Sequence, residues 1–188
     1  MSAFEFGPAG EISALLRSNI NTFPTNSSKI ESNIQSNEYN LDAASNYSAK
    51  GLPALDYILF HASQDDLIIE LADDSRVNYM KDCVSNMKSR VDYVVNAWDA
   101  YRNVFVGSEG NDQNSSLSLF FNYFLYDYEQ IKRNKFALPA GFAAEYGIPI
   151  SIDTSKVEGL YSATSFELIS ANLRALEDLY LGVGENGV

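Results

Sequence analysis

Residues 75–106 read SRVNYMKDCVSNMKSRVDYVVNAWDAYRNVFV, and this stretch has the most regular spacing of apolar side chains in the chain. The spacing alternates between three and four residues, which keeps the side chains on one face of an α-helix with about 3.6 residues per turn. The stripe comprises Val77, Met80, Val84, Met87, Val91, Val94, Trp98, Tyr101 and Phe105. A helix over these residues would be about 45 Å long. Such a narrow stripe packs at shallow angles against antiparallel neighbours, so it predicts an up-and-down helical bundle.

Two later segments also have helical spacing. Thr164 and Glu167 have the spacing of a capping box, which predicts that the last helix begins there. No segment shows the alternation typical of a β-strand. The predicted fold class is therefore all-α, with residues 1–188 in a single helical-bundle domain. The predicted buried faces of the two later helices are Leu117, Phe120, Phe121, Phe124, Tyr128 and Ile131, and Phe166, Ile169, Leu173, Leu176 and Tyr180.

A long polar stretch lies near the N-terminus. Residues 18–47 are rich in Asn and Ser, which favour turns and helix caps over long elements. Asn26 or Ser27 can cap a short helix in which Ile30 and Ile34 share a face. We expect the rest to be a long irregular connection, and connections of this length in compact domains are either functional or poorly ordered.

The composition argues against several kinds of protein. Thirteen Lys and Arg against 25 Asp and Glu give a net charge of −12, which argues against a nucleic-acid partner because phosphate binding needs clustered cations. Cys83 is the only cysteine, so an intrachain disulfide is excluded, and its place on an apolar helix face predicts a small core residue. No run approaches the ~18 apolar residues of a transmembrane helix, and we expect no signal segment in residues 1–6.

The most informative short stretch is residues 48–61, SAKGLPALDYILFH. Pro53 is tolerated in a first helical turn, and the nearly continuous apolar run around it predicts a buried helix. Asp56 lies within that run, and burying a carboxylate is costly unless it is paired, hydrogen-bonded or metal-bound. Two interpretations stay open, an acid that lines a ligand-binding cleft and a structural acid. The candidate partners of a structural acid are backbone N–H groups, Tyr47, Tyr161, Lys50 and Arg174.

The residue types give little support to catalysis. Asp56 and His61 project about 140° apart on a straight helix, so they cannot chelate one ion. A zinc protease motif needs two histidines, and a Ser or Cys nucleophile needs a base that only His61, the single histidine, could supply. His61 is instead predicted to lie in the last turn of its helix, where the helix dipole favours it. We therefore name no catalytic residue, and Asp56 remains the candidate metal ligand.

The segment Gly51-Leu52-Pro53-Ala54-Leu55-Asp56 resembles a helical motif of the imelysin family, whose members carry Gly-x-His-x-x-Glu. Pro53 stands where the family has His, and Asp56 replaces Glu, as in the subset of the family that has lost the His. Two further stretches, Lys135-Phe-Ala-Leu-Pro-Ala-Gly141 and Glu158-Gly-Leu-Tyr-Ser162, resemble imelysin segments and occur in the same order.

The resemblance implies a protein larger than this chain. Imelysins are usually exported, commonly as lipoproteins, and are considerably longer, so residues 1–188 would be the N-terminal-to-central part of a two-bundle protein. The implied location is the periplasm or the outer membrane. The resemblance also implies a cleft at the motif, whose expected binding residues are Lys50, Gly51, Pro53, Asp56, Tyr161 and Ser162.

Three functions are consistent with these residues. The first is a non-catalytic, exported binding protein linked to iron or other metal acquisition, whose ligand is iron, another divalent cation or a small molecule. The second is an imelysin-type metallopeptidase, against which the replacements at Pro53 and Asp56 weigh. The third is a scaffold at the outer membrane that binds a partner protein there.

Overall fold

The computed structural model describes residues 7–9, 15–110, 112–113, 115–142 and 151–183. Every regular element within these ranges is helical, and no strand occurs in them, which confirms the all-α prediction. The α-helices are α1 (Leu16–Ile20), α2 (Ser27–Ser36), α3 (Gly51–Phe60), α4 (Gln64–Glu70), α5 (Asp74–Gly107), α6 (Ser116–Gln130) and α7 (Ser165–Leu181). Short 3-10 turns cover Gly7–Ala9, Ala44–Ala49 and Thr154–Lys156, and a π-helix over Ile131–Ala137 continues α6.

Side-chain caps set the starts of several helices. The Asn26 side chain accepts a hydrogen bond from the backbone N–H of Lys29 at 3.0 Å, so Asn26 is the cap of α2. Asp73 caps α5 in the same way. The predicted capping box of α7 is wrong, because the Thr164 side chain accepts no backbone N–H of that helix. Its hydroxyl instead lies 2.8 Å from the hydroxyl of Ser162, in the turn before the helix.

The long helix α5 is the element against which the N-terminal half packs. It contacts α1, α2, α3 and the Gly7–Ala9 turn. Its bounds agree with the predicted helix over 75–106, but its buried face is rotated from the predicted stripe. Tyr79 and Cys83 are completely buried, whereas Val84 and Val91 are 50% and 41% exposed. Tyr79 accounts for part of this rotation, because its hydroxyl has hydrogen-bond partners inside the core. It donates to the Ala49 carbonyl and accepts from the Asn33 side chain.

Two apolar clusters hold the N-terminal half together. The larger one joins α2, α3 and α5 through side chains that include Ile30, Ile34, Ile58 and Cys83. The smaller one joins α1 to the middle of α5 and consists of Ala9, Leu16, Ile20 and Val94. Ile30 and Ile34 therefore share a buried face, as their spacing predicts.

The second half consists of α6, the π-helix and α7, which pack mainly on each other. Ile131 and Leu176 are buried, but much of the predicted apolar face of these helices is exposed. A two-helix layer can bury only one narrow strip of each helix, which explains the difference. The exposed residues that we predicted to be buried are Leu117, Phe121, Tyr128, Phe166, Leu173 and Tyr180.

Candidate functional site

Gly51 places the start of α3 directly against the end of α1. Its φ angle is +77°, a conformation that side chains with a Cβ rarely adopt. A Cβ added to Gly51 would lie 2.4 Å from the carbonyl oxygen of Ile20. Only glycine therefore allows the two backbones to approach this closely.

The Asp56 carboxylate joins α3 to the turn that precedes α7. Its Oδ2 accepts a hydrogen bond from the backbone N–H of Tyr161 at 3.0 Å, and its Oδ1 accepts one from the N–H of Ser162 at 3.0 Å. Each oxygen thus has its own donor, and both donors are more than a hundred residues away from Asp56 in sequence. Within the described part of the chain, backbone N–H groups are the partners of this carboxylate, and Lys50 and Arg174 are not.

The turn over residues 157–163 is tightly built around this contact. Gly159 has a φ angle of +62°, and a Cβ there would lie 2.7 Å from the Thr164 hydroxyl oxygen. The Tyr161 ring packs edge-on against the Tyr57 ring of α3, with centroids 5.0 Å apart. Asp56 therefore fixes both the position and the orientation of this turn.

A small cavity of about 150 Å³ opens beside the Asp56 carboxylate. Pro53, Asp56 and Tyr161 line it, together with Phe23 and Pro24 from the segment after α1. Pro53 presents hydrocarbon at the motif position where imelysins carry an imidazole. Gly51 lies at the start of the same helix, against Ile20, and does not line the cavity, and Ser162 meets Asp56 through its backbone. Of the six predicted binding residues, three therefore line the cavity and Ser162 contacts one of them.

Lys50, like Gly51, lies away from the cavity beside Asp56. Its ammonium is buried and donates to the side-chain oxygens of Asn19 at 2.9 Å and Asn86 at 3.3 Å. Burial and the nearby Arg90 guanidinium lower the pKa of the Lys50 ammonium, while Asp42 opposes that shift. The ammonium belongs to the core between α1 and α5, so it does not line the cavity beside Asp56.

His61 caps the C-terminus of α3, in agreement with its prediction as a last-turn residue. Its Nδ1 lies 3.0 Å from the Tyr57 carbonyl oxygen, and its Nε2 lies 3.2 Å from a Glu70 carboxylate oxygen. Both ring nitrogens therefore face protein acceptors. Among the described residues, no three His, Cys, Asp or Glu side chains are grouped so that they could hold a metal ion. A cation at Asp56 stays a prediction.

The sequence analysis missed a buried ion pair next to this site. Lys135 Nζ lies 2.6 Å from the Glu158 carboxylate, with both side chains about nine-tenths buried. Asn21 donates to the same carboxylate at 2.6 Å, and Lys135 donates to Asn172 at 2.9 Å. Lys135 and Glu158 each belong to one of the stretches that resemble imelysins, so the resemblance already marked the segments in which both residues lie. Their pairing could not be read from their spacing.

The comparisons with known proteins agree with these local resemblances. A family model described as Imelysin matches residues 1–187. Comparisons with curated proteins and with solved structures gave no significant match. In the described ranges, no helix combines the length and the apolarity that crossing a membrane requires. Because the family model covers essentially the whole chain, the protein belongs to the imelysin family.

Proposed function

We propose that this protein is a non-catalytic binding protein of the imelysin type, exported to the periplasm or the outer membrane and linked to the acquisition of iron or another metal. The main support for the proposal is that both Asp56 oxygens accept hydrogen bonds from backbone N–H groups. An acid held in this way positions a turn and shapes a cavity, whereas a catalytic acid or base must reach the reacting group.

The other residues at the motif also favour binding over catalysis. Pro53 has no side-chain atom that can hold a metal or move a proton. The single histidine, His61, is held between Tyr57 and Glu70 at the far end of α3. The cavity of about 150 Å³ has room for an ion with its waters or for a small polar group. Membership of the imelysin family supports export and the metal-related role.

A metallopeptidase is the second candidate, because the family takes its name from that activity. The replacements at Pro53 and Asp56 count against it, since they remove the imidazole and shorten the acid of the motif. A scaffold at the outer membrane is the third candidate, and the exposed apolar residues of α6 and α7 favour it. The same surface supports the proposal that this chain is the N-terminal-to-central part of a larger two-bundle protein.

Calorimetric titration of the metal-free protein with Fe²⁺, Fe³⁺, Ca²⁺ and Zn²⁺ tests the binding proposal. We expect saturable binding of at least one of these ions, and at least tenfold weaker binding in Asp56→Asn, because the substitution removes the anionic charge that lines the cavity. Asp99→Asn is the matched control, since Asp99 is exposed on α5 and carries the same charge. Circular dichroism verifies that both variants are folded at the temperature of the titration.

Two results would overturn the proposal. The first is the absence of saturable binding for all four ions, and the second is equal binding by the wild type and Asp56→Asn. Incubation of the metal-loaded protein with a fluorogenic peptide library addresses the second candidate. Cleavage that a chelator abolishes would establish a peptidase instead.

A further inference from the structure

A larger cavity shares Phe23 and Pro24 with the cavity beside Asp56 but is otherwise lined by different residues. Its volume is about 360 Å³, and it is bounded by α1, the π-helix and the Thr154–Lys156 turn. Among the described residues that line it are the cations Arg17, Lys135 and Lys156, and none of those lining residues is acidic. This composition contrasts with the chain as a whole, whose net charge is −12.

Two of the three cations are held in place by contacts of their own. Lys135 is fixed by Glu158 and Asn172 at the inner wall, so its charge is balanced by a buried carboxylate. The Arg17 guanidinium donates to the Tyr126 hydroxyl at 2.8 Å and lies 5.2 Å from the centroid of that ring. These contacts hold both side chains at the cavity before any ligand arrives, which lowers the entropic cost of binding.

Lys156 is the cation that is most available to a ligand. Its ammonium lies 3.3 Å from Asp153, but both side chains are more than a third exposed. Exposed pairs of this kind contribute little free energy, so a ligand can compete for the ammonium. Lys156 therefore adds a weakly committed positive charge to the cavity.

The uncharged polar side chains add hydrogen-bond donors. The side-chain oxygen of Gln130 accepts a hydrogen bond from the Asn134 amide, which leaves the Gln130 amino group without a partner among the described residues. An amino group of this kind can only donate. Phe23, Pro24 and Leu138 supply an apolar wall beside these donors. The cavity thus matches a ligand that is rich in acceptors and has a carbon skeleton.

The acidic character of the whole protein does not prevent such binding. At physiological salt the Debye length is about 8 Å, so exposed acids elsewhere on the surface are largely screened. Glu158 and Asp153 lie within that length and pair with Lys135 and Lys156, so the positive potential that a bound ligand experiences comes mainly from Arg17 and from the exposed Lys156 ammonium.

We propose that this cavity binds a small organic anion with two or more carboxylates. Arg17 and Lys156 would hold the carboxylates, Gln130 would donate to one of them, and the carbon skeleton would lie against the apolar wall. A volume of about 360 Å³ is adequate for such a molecule. The site is separate from the cavity beside Asp56, so this proposal does not depend on metal binding there.

Calorimetry on the metal-free chain tests the proposal with tricarballylate, a tricarboxylate without the chelating hydroxyl of citrate. Lys156→Gln removes the rim cation, and Lys88→Gln is the matched control, because Lys88 also forms a local ion pair with an aspartate, Asp92, but lies outside the cavity lining. We expect saturable one-to-one binding, at least fivefold weaker in Lys156→Gln and within twofold of wild type in Lys88→Gln. Raising the salt concentration should also weaken binding.

Three outcomes would overturn the proposal. The first is the absence of saturable heat with tricarballylate. The second is an equal loss of affinity in the two lysine variants, which would indicate a general charge effect. The third is binding of glycerol phosphate as tight as that of tricarballylate, which would replace the carboxylate assignment with a general anion site. Each outcome leaves the metal titrations at Asp56 unaffected, so failure here is distinguishable from failure of the proposed function.

Discussion

Asp56 accepts two backbone hydrogen bonds with two oxygens, and this makes the effect of its amide analogue predictable. In Asp56→Asn the side-chain NH₂ group must face one of the two N–H donors, which then loses its acceptor. These hydrogen bonds are half-buried, and a hydrogen bond to a charged group contributes about 1.5–3 kcal/mol, so the free energy of unfolding should fall by up to that amount. Urea denaturation at pH 7 measures it, with Asp99→Asn as the control. A loss below about 0.5 kcal/mol would mean that the contact is not structural.

Three tyrosine hydroxyls and the Cys83 thiol govern the expected response to alkaline pH. Burial raises the pKa of Tyr39, Tyr57 and Tyr79 well above the usual 10.0, and it raises the pKa of Cys83 from 9.0 to about 12. The folded state then keeps protons that the unfolded state releases, so stability should begin to fall near pH 9 and fall more steeply above about pH 10. Lys50 acts in the opposite sense, because its pKa is lowered in the fold. The folded protein therefore loses the Lys50 proton before the unfolded chain does, and the free energy of unfolding gains from this group as pH rises towards 10.5. Above that pH the effect of Lys50 stays constant.

Tyr79→Phe isolates this effect, because Tyr79 is the most deeply buried of the three. The variant should be less stable than wild type at pH 8, where it loses hydrogen bonds to Ala49 and Asn33. Its stability should decline less steeply between pH 10 and pH 12. Urea denaturation across this range measures the slope, and Tyr93→Phe, at an exposed site on α5, is the control. Parallel declines in wild type and Tyr79→Phe would contradict the assignment.

At the level of the element, α5 shows what periodicity can and cannot predict. The three-and-four spacing places the helix within a residue of each observed end, because helix formation responds to local sequence. The face that is buried depends on which partners the helix meets. Tyr79 and Asn86 turn polar atoms inward to meet Ala49 and Lys50, and a pattern of apolar residues contains no record of such contacts.

Neighbouring substitutions on α5 separate the two faces. Val84→Asp should change the free energy of unfolding by less than about 1 kcal/mol, since Val84 is 50% exposed. Cys83→Asp should cost about 3 kcal/mol or more, because Cys83 is fully buried and the substitution places a larger, charged side chain in a closely packed site. Thermal melts of both variants provide the comparison. If Val84→Asp were the less stable variant, the buried face of α5 would be the predicted stripe and not the observed one.

The junction between α1 and α3 makes a second prediction at this scale. Gly51→Ala places a Cβ on the Ile20 carbonyl at a φ of +77°, so we expect a loss of more than about 2 kcal/mol. Gly107→Ala is the matched control, because a Cβ at Gly107 meets nothing within 4 Å. Denaturation of the two variants measures the difference. Equal stability of Gly51→Ala and Gly107→Ala would show that the backbone around residues 20 and 51 adjusts to the added Cβ.

For the whole molecule, the sequence predicts the fold class and the neighbourhood of the site better than it predicts the surfaces. Helical spacing was sufficient for the all-α fold, and Tyr161 was one of several partners that the sequence left open for Asp56. The pairing of Lys135 with Glu158 and the exposure of Phe166 depend on how distant helices pack. No local pattern encodes that packing, since it is decided by which elements meet in space.

The contact between Asp56 and the turn at Ser162 has a consequence for the order of events in folding. The two residues are 106 positions apart in sequence, so the hydrogen bond closes a long loop and gains nothing until both ends are in place. Contacts among α2, α3 and α5 span shorter separations and are entropically cheaper to form first. The turn should therefore dock after the transition state for folding, and substitutions of Asp56 should give φ-values near zero. Weakening the hydrogen bond between Asp56 and Ser162 would then accelerate unfolding and leave the folding rate almost unchanged.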